Sequence, residues 1–488
     1  MKAMITVGLG FGDEGKGATI DYLASELVRK AVAAGRPHGG LVVRYSGGAQ
    51  AGHNVELADG RRHTFSQFGA GTLQGVPAWL GPRMIVAPAT LPPEADHLQS
   101  LGVVDPWALL SVHPDALIST GYHVAMNRLR EIARGEGRHG SCGLGIGESR
   151  SYWLKHGPDA ITAGDLADRR GLVRKLTLLR ERLLIEMQEL PKLDREWADL
   201  LHGLRPSQEA DLLQQDSQRL TVRELPPPFE TALFEGAQGV LLDEWHGLHP
   251  YTTWSTVTPL HARELCEEWG IDDVTTLGIT RAYSTRHGAG PFPTYSPAMT
   301  AALPDRGNPA NAWQGSLRAG PLDLVLLDYA ARICEIDELA VTCLDQLPAQ
   351  PSVVRHYAES SRLALPRGLK EQEQLTRFLS GVTPLVERTS ELDLLASLEA
   401  IAPVSLLARG PKLTDRTLRS LPLDHESIME AAQTSKVTIS TPPQSTTPDQ
   451  NSLSIQEAKV RGTAAAQPNK NAQAKPTAIG TPLSTCKR

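Results

Sequence analysis

The feature that most constrains the fold is a glycine-rich segment near the N-terminus. Residues 8–17 read G-L-G-F-G-D-E-G-K-G. They follow the largely β-branched run M-I-T-V at 4–7 and precede residues 18–24, whose apolar side chains recur at helical spacing. The pattern predicts a strand, a glycine loop and a helix in succession. In such an arrangement, backbone N–H groups and the helix N-terminus converge on a phosphate.

The spacing within this segment is that of a phosphate-binding loop with one departure. Gly10, Gly15 and Lys16 stand at the positions of the usual glycine and lysine residues. Gly17 occupies the place where the pattern has Ser or Thr. The hydroxyl group that normally contacts Mg²⁺ is therefore missing, and a metal would need other ligands.

Two carboxylates lie inside this loop, where they would repel a phosphate. Asp13 and Glu14 are compatible with phosphate binding only if a metal bridges them or if one of them removes a proton during a reaction. A purely structural glycine turn would explain the glycines but would leave Asp13 and Lys16 without a role. The conflict of charges favours a catalytic loop.

Several further segments, in the same order along the chain, resemble adenylosuccinate synthetases. Besides the glycine loop they are G-G-A-Q-A-G-H at 47–53, F-E-G-A-Q-G at 234–239, T-R-H-G-A-G-P-F-P-T at 285–294, and G-P at 410–411. The resemblance covers about residues 3–420. It implies a GTP-dependent ligase that joins IMP to L-aspartate. The implied fold is α/β, a large and mostly parallel sheet covered by helices with a P-loop-like GTP site.

The resemblance also implies residue roles. Asp13 would be the base and a Mg²⁺ ligand, His53 would donate to the phosphoryl group in flight, and Lys16 would hold phosphate oxygens. The Gly52 carbonyl would complete the metal shell, with Mg²⁺ as cofactor and GTP as co-substrate. Arg318 would bind the second substrate. The implied nucleotide contacts are Gly12, Glu14, Gly15, Gly17, Gln50, Gln238, Thr253, Asp345, Gly410 and Pro411.

The departures from the family pattern fall on substrate-recognition segments. Arg318 alone survives of an arginine cluster that grips aspartate, and residues 141–147 read S-C-G-L-G-I-G in place of T-T-G-R-G-I-G. Cys343 replaces a lysine whose stem covers guanine, and Gln50 replaces an asparagine beside the histidine. The arginine that crosses the family's dimer interface has three candidate substitutes: Arg150, Lys155 and His156.

Three hypotheses follow. The chain is an adenylosuccinate synthetase with divergent loops, or a paralogue that uses the same phosphoryl chemistry on another purine nucleotide or amino acid, or an inactive nucleotide-binding regulator. The presence of Asp13 disfavours a 2-aminopurine-type relative in which that base is replaced. Asp13, Lys16, Gly52 and His53 together disfavour the regulator, because binding alone needs no base.

Other apolar runs predict strands at 40–45, 83–88, 231–234, 275–283 and 339–345, and a helix beginning within 322–330. Strands that alternate with helices favour a parallel sheet. In the leucine-rich region 172–213, one buried helical face is predicted to contain Leu179, Leu183, Leu184 and Met187.

The composition limits the classes of binding partner that we expect. The net charge of −6 and the pI near 6.2 give no indication of a nucleic-acid groove or of binding to an anionic membrane. The five cysteines have no C-x-x-C spacing, and no run of roughly 18 apolar residues occurs. We therefore expect a cytoplasmic enzyme with small-molecule substrates. The resemblance implies a homodimer.

The chain divides into two unequal parts. Residues 1–420 are predicted to form the ligase domain. Residues 421–488 are rich in Ser, Thr, Pro, Gln, Ala and Lys with few large apolar side chains, so they cannot offset their ordering entropy by burial. This segment is expected to be a disordered tail.

Overall fold

A computed structural model of the chain describes residues 1–135, 141, 143–303 and 317–419. The predicted tail at 421–488 lies outside the described residues. The proposed division of the chain at residue 420 accordingly stays a prediction.

The described strands are β1 (Lys2–Gly8), β2 (Gly40–Arg44), β3 (His53–Glu56), β4 (Arg62–Phe65), β5 (Ala78–Leu80), β6 (Ile85–Val86), β7 (Leu110–Val112), β8 (Leu117–Ile118), β9 (Thr221–Val222), β10 (Thr231–Gly239), β11 (Asp273–Arg281), β12 (Ser284–Arg286), β13 (Arg318–Gly320), β14 (Leu322–Asp323), β15 (Glu338–Thr342), β16 (Ser352–Tyr357), β17 (Pro384–Arg388), β18 (Val404–Ala408) and β19 (Arg416–Leu418).

The described α-helices are α1 (Lys16–Ala33), α2 (Leu91–Ser100), α3 (Gly121–Arg134), α4 (Ile146–His156), α5 (Arg169–Gln188), α6 (Arg195–Gly203), α7 (Pro206–Asp216), α8 (Leu260–Glu268), α9 (Pro297–Ala302), α10 (Leu324–Cys334), α11 (Leu369–Leu379) and α12 (Glu391–Glu399).

Within the described residues, one ten-stranded sheet has the order β19-β18-β15-β11-β1-β10-β2-β5-β7-β9. All neighbours in it run parallel except β18 and β19. The predicted large, mostly parallel sheet is therefore confirmed. Because parallel strands end at a common edge, the segments that follow β1, β2, β10, β11 and β15 lie side by side.

Helices cover both faces of the sheet, as the residues of β2 illustrate. Val42 packs into one apolar cluster together with Leu129 of α3, whereas Leu41 and Val43 pack into another with Leu326 of α10. Successive side chains of a strand point to opposite faces, so an unbroken apolar run is suited to a sheet buried on both sides.

Several predicted elements differ from the observed ones. The strands expected at 275–283 and 339–345 end earlier, at Arg281 and Thr342. The strand expected at 231–234 continues to Gly239, because Glu235 and Gly239 still pair with Thr6 and Gly8 of β1. The helix expected within 322–330 begins only at Leu324, where the Asp323 side chain caps its first turn. The strand expected at 83–88 is limited to Ile85–Val86 and is followed by a 3₁₀ turn.

The predicted apolar face of the leucine-rich region lies on α5. Leu179, Leu183 and Met187 are buried, and Leu184 is partly buried against the same cluster. Ile185 of the same helix is 62% exposed. The helix thus offers an internal comparison between a core and a surface aliphatic residue.

Truncation of Leu179 to Ala should lower the free energy of unfolding by about 2–5 kcal/mol, because it removes a fully buried side chain and leaves a cavity. The matched variant Ile185→Ala should change it by less than about 0.5 kcal/mol. Urea unfolding of both variants measures the difference. Equal effects would contradict the assignment of the buried face.

Candidate active site

The motifs singled out in the sequence meet at the edge where the central parallel strands end. The glycine loop follows β1, residues 47–53 follow β2, and residues 235–239 form the end of β10. Asp345 follows β15, and Gly410 follows β18. Because β1 lies between β10 and β11, the glycine loop is at the centre of this edge.

The glycine loop turns through two residues in the left-handed region. Gly12 has φ +114° and Gly15 has φ +90°, values that side-chain-bearing residues rarely adopt. Between them, Asp13 is partly exposed, and its carbonyl oxygen accepts a hydrogen bond from the Arg281 guanidinium at the end of β11. Helix α1 begins directly after the loop at Lys16.

Glu14 and Lys16 form a buried ion pair beneath the loop. The Lys16 ammonium lies 2.9 Å from the Glu14 carboxylate and donates to the Gly12 carbonyl at 2.9 Å, while Gly12 N–H donates to Glu14 at 2.7 Å. Burial alone would raise the pKa of Glu14, but the Lys16 charge and the Gly12 hydrogen bond hold it below its ordinary value. The charge conflict expected for Glu14 is thus resolved inside the protein.

Two glycines make room for this ion pair. A Cβ atom on Gly8 would lie 2.2 Å from a Glu14 carboxylate oxygen, and one on Gly10 would lie 2.8 Å from the other. The carboxylate therefore faces the interior, so a nucleotide contact from Glu14 would come from its backbone. The Lys16 side chain is fully buried in this pair, and its predicted contact with phosphate stays a prediction.

His53 packs directly against the start of α1. A Cβ atom on Gly17 would lie only 2.4 Å from His53 Cβ. Glycine at position 17, where the usual phosphate loop has Ser or Thr, is therefore required by the approach of His53. The loop after β1 and the segment after β2 share one site, as the sequence predicts.

A buried carboxylate orients the His53 ring. Nδ1 of His53 lies 2.5 Å from Glu235 Oε1, Nε2 lies 3.2 Å from the Ala237 carbonyl oxygen, and Glu235 Oε2 accepts from Ala70 N–H at 3.0 Å. Burial lowers the pKa of His53, and the Glu235 carboxylate opposes this shift. Burial alone would raise the pKa of Glu235, but His53 and Arg44 keep it below its ordinary value. Glu235 thus remains ionised and accepts a hydrogen bond from Nδ1–H of His53.

The end of β10 closes on the glycine loop backbone to backbone. A Cβ atom on Gly239 would lie 2.1 Å from the Gly10 carbonyl oxygen and 2.5 Å from the Gly12 nitrogen. Next to it, the amide oxygen of Gln238 is buried without a hydrogen-bond partner among the described residues. The Gln50 amide oxygen is in the same situation. Buried, unsatisfied polar atoms of this kind are costly unless a ligand completes them.

The segment containing Thr253 also reaches this site. Ser255 Oγ accepts a hydrogen bond from Gly47 N–H at 3.1 Å, and Thr253 N–H donates to the Leu242 carbonyl at 2.8 Å. Thr253 is partly exposed beside these contacts. The predicted nucleotide contact is therefore adjacent to the loop that follows β2.

The predicted guanine-binding residues Asp345, Gly410 and Pro411 follow β15 and β18, which lie on the side of β1 away from β10. Thr342 Oγ1, three residues before Asp345, donates to the Glu14 carbonyl at 2.9 Å. Partial burial raises the pKa of Asp345, whose side chain still reaches solvent, and Asp415 acts in the same direction. Asp415 also packs under Gly410, whose φ is +156°. Pro411 follows, and its carbonyl accepts from Arg416 at 3.0 Å.

A second arginine, Arg286, lies beside Arg318. In the antiparallel pair β12–β13, Arg318 lies opposite Arg286, whose guanidinium is fully buried over the Phe11 ring at 4.2 Å. Neither guanidinium forms an ion pair with a described carboxylate. Burial lowers the pKa of Arg286 to about 9, and the charge of Arg318 acts in the same direction. Two adjacent cations of this kind are suited to an anionic ligand.

Two of these residues received no role from sequence reasoning. Glu235 was part of a quoted motif, but its partner His53 is 182 positions away in sequence. Arg286 was likewise quoted, and only the register of β12 and β13 places it beside Arg318. In the sequence, Glu235 directly follows the apolar run of β10, whereas Arg286 ends the short polar strand β12.

No group of three or more His, Cys, Asp or Glu side chains suited to a metal ion occurs among the described residues. Across the described helices, none combines the length and apolar character that a membrane span requires.

Substitution of Gly17 by Ala should displace His53 or the start of α1, because the new Cβ would overlap His53. We expect a loss of about 1–3 kcal/mol of stability and at least about a tenfold loss of GTP affinity. Gly203→Ala, where a Cβ meets open space, is the matched control and should be neutral. Unfolding and calorimetric titration test this, and equal behaviour of both variants would contradict it.

Comparison with known proteins identifies the family of the chain. The adenylosuccinate synthetase family model matches residues 5–399. The adenylosuccinate synthetase of Pseudomonas fluorescens is 34% identical over 363 residues, covering 71% of this chain and 78% of that protein. The corresponding protein of Pseudomonas paraeruginosa is 33% identical over the same length and with the same coverage.

Two solved structures share the fold. The fully ligated adenylosuccinate synthetase of Plasmodium falciparum has a TM-score of 0.68 at 21% identity, covering 86% of this chain and 100% of that one. Cyanophage S-2L succinoaminodeoxyadenylate synthetase, bound to dGMP and to dATP as an energy donor, has a TM-score of 0.55 at 18% identity, covering 88% and 99%. With the family model spanning most of the chain and relatives one-third identical, the chain belongs to the adenylosuccinate synthetase family.

Proposed function

We propose that this protein is a GTP-dependent ligase that joins L-aspartate to IMP, forming adenylosuccinate, GDP and phosphate by way of 6-phosphoryl-IMP in AMP biosynthesis. The observation that carries the proposal is the packing of His53 against Gly17. It brings a partner for the migrating phosphoryl group to the loop that carries Asp13. A site for binding alone would require neither the base nor the oriented imidazole.

In the first step, Asp13 accepts the N1 proton of IMP while the γ-phosphoryl group moves from GTP to the 6-oxygen and GDP leaves. The amides at the N-terminus of α1 bind phosphate oxygens. His53 donates from Nε2 to the transferring group, exchanging its contact with the Ala237 carbonyl for one with a phosphoryl oxygen.

A Mg²⁺ ion fits this arrangement with the Asp13 carboxylate and the Gly52 carbonyl as its protein ligands. Such ions commonly take one or two carboxylates and complete their shell with substrate phosphates. Glu14 does not fit as a ligand, because Lys16 and Gly12 already occupy its carboxylate. When bound, the ion neutralises charge on the phosphates.

In the second step, the amine of aspartate attacks C6 of the purine, the C–N bond forms, and the C–O bond to phosphate breaks. Arg318 binds one carboxylate of aspartate, and the adjacent Arg286 adds a second positive charge to the same place. This pair supports a dicarboxylate substrate, even though the rest of the family's arginine cluster is replaced. Residues 313–316 of that segment lie outside the described residues.

The remaining contacts divide between the two nucleotides. The unsatisfied amide oxygens of Gln50 and Gln238 face IMP, with Thr253 near its phosphate. Asp345 accepts from the N1–H and exocyclic amine of guanine, and Gly410 and Pro411 border the base. A paralogue that acts on a different purine nucleotide or amino acid is the second candidate, since Cys343 and the 141–147 loop depart from the family pattern.

We further propose a cytoplasmic homodimer. Of the three candidate substitutes for the interface arginine, Lys155 is paired with Glu186 at 3.0 Å. The His156 and Tyr152 rings are tilted against each other with their centres 4.5 Å apart. Arg150 lies 3.9 Å from the Glu244 carboxylate and 4.8 Å from the centre of the Trp153 ring. All three side chains thus have partners within the chain, and all three remain candidates to reach a neighbouring subunit.

Turnover with GTP should be measured against a panel of purine monophosphates crossed with amino acids. We expect adenylosuccinate from IMP and aspartate. A product from another pair alone would identify the paralogue, and GTP binding without phosphate release under every pair would identify the regulator.

Arg318→Gln should raise the KM for aspartate by about ten- to hundredfold, because it removes a charge-assisted partner of one carboxylate. Arg195→Gln, at an exposed helix position, is the control and should leave this KM unchanged. Initial rates against aspartate concentration provide the test. An unchanged KM in Arg318→Gln would exclude this residue from the second-substrate site.

Glu235→Gln should lower kcat by about tenfold, because the neutral amide no longer stabilises a protonated His53. Burial already lowers the pKa of His53, so loss of the carboxylate lowers it further. Activity that needs protonated His53 is lost as pH rises through this pKa, and the basic limb of the pH profile should move to lower pH. Glu230→Gln, an exposed carboxylate paired with Arg36, is the control. An unmoved limb would refute the pairing as a catalytic device.

A further inference from the structure

A chain of side-chain hydrogen bonds connects the turn that carries Asp345 to the backbone of Asp13. The Tyr283 hydroxyl donates to Gln346 Oε1 at 2.5 Å and accepts from Arg281 Nη1 at 3.1 Å. Arg281 Nε in turn donates to the carbonyl oxygen of Asp13. Gln346 is the immediate neighbour of Asp345 in one 3₁₀ turn.

This chain of hydrogen bonds can transmit a displacement from Gln346 to Asp13. Tyr283 is buried, so its ring has little freedom to move independently, and the Arg281 guanidinium lies 5.6 Å from the centre of that ring. Gln346 and Asp345, by contrast, are exposed at the open end of the site. One end of this chain of hydrogen bonds is therefore exposed to solvent, and the other contacts the glycine loop.

Charge reinforces the connection. Arg281 is one of the two cations, with Arg409, that oppose the rise in the pKa of Asp345 caused by burial. A base that donates hydrogen bonds to Asp345 would change the charge environment of Arg281 at the same time. The Arg281 guanidinium is thus within electrostatic reach of Asp345 while it contacts the Asp13 backbone.

A second link runs through the backbone on the same side. Thr342 Oγ1 donates to the Glu14 carbonyl at 2.9 Å, and the Thr342 carbonyl accepts from Ala282 N–H at 2.8 Å. The three strand ends of β1, β11 and β15 are thereby held together around Arg281. A movement of the turn after β15 would reach both Asp13 and Glu14.

We propose that Arg281 and Tyr283 are positioning residues that couple recognition of the nucleotide base at Asp345 to the placement of the Asp13 backbone. The donor recognised is a nucleoside triphosphate whose base presents N–H groups to Asp345. This inference rests on the proposed function, because it assigns Asp345 to the base of the phosphoryl donor. Its consequence is that the correct base raises the rate of phosphoryl transfer in addition to tightening binding.

The test is a double-mutant cycle with Tyr283→Phe and Asp345→Asn in the full-length enzyme. Tyr283→Phe retains the ring and removes only the hydroxyl that joins Arg281 to Gln346. With GTP, it should lower kcat by about tenfold and change the KM for GTP by less than about threefold. In the Asp345→Asn background, the same change should lower kcat by less than about twofold, because recognition of the base by the Asp345 carboxylate is already lost.

Tyr122→Phe is the matched control. It also deletes a buried tyrosine hydroxyl that donates to a carbonyl, that of Leu204 at 2.8 Å, but in the helical region around α3. Its effect on kcat should be equal in both backgrounds. A merely structural role of Tyr283 would give the same additive behaviour and would overturn the proposal.

The two proposals can fail separately. If the wild-type enzyme reacts with a substrate pair other than IMP and aspartate, the cycle is run on that pair. If no pair reacts, the proposed function fails, and the cycle is read from the dissociation constant of GTP by calorimetry. Non-additive dissociation constants would then support the coupling, and additive ones would overturn it.

Discussion

The arrangement of the site depends on two segments that approach the glycine loop so closely that a Cβ atom at either point of contact would overlap its neighbour. His53 lies against Gly17, and Gly239 lies against the backbone of Gly10 and Gly12. These approaches place the loops after β1, β2 and β10 in contact at one edge of the sheet. Gly8 and Gly10 serve a different purpose, since they leave space for the ion pair beneath the loop. Glycine is therefore needed here as much for packing as for phosphate binding.

Two buried carboxylates at this edge are neutralised within the protein before any ligand is considered. Lys16 neutralises Glu14, and His53 with Arg44 keeps Glu235 ionised. Isolated charges would be costly at such depths, whereas paired and hydrogen-bonded ones are tolerated. Glu14 is thus buried in its ion pair, whereas Asp13 is the partly exposed carboxylate of the loop. A single carboxylate in that position is suited both to a metal and to a proton.

The half of the site that meets the second substrate is less conventional for this family. Its arginine cluster is reduced, yet Arg286 and Arg318 are adjacent across a short antiparallel pair. The aromatic ring of Phe11 lies under Arg286 and connects this pair to the glycine loop. Positive charge is thus supplied to the acceptor side from a strand that the sequence pattern did not associate with it. This supports the proposal that aspartate is the second substrate.

The sequence by itself determined the family, the order of strands and loops, and the location of the phosphate loop. These depend on local patterns such as glycine spacing and apolar periodicity, which short segments carry independently. The tertiary structure decided how the charged residues are used: it buried Lys16 against Glu14, extended β10 so that Glu235 meets His53, and set Arg286 opposite Arg318. The last two contacts depend on strand register and on packing between residues far apart in sequence, and the first depends on the space left by Gly8 and Gly10. Neither periodicity nor motif spacing encodes these features directly.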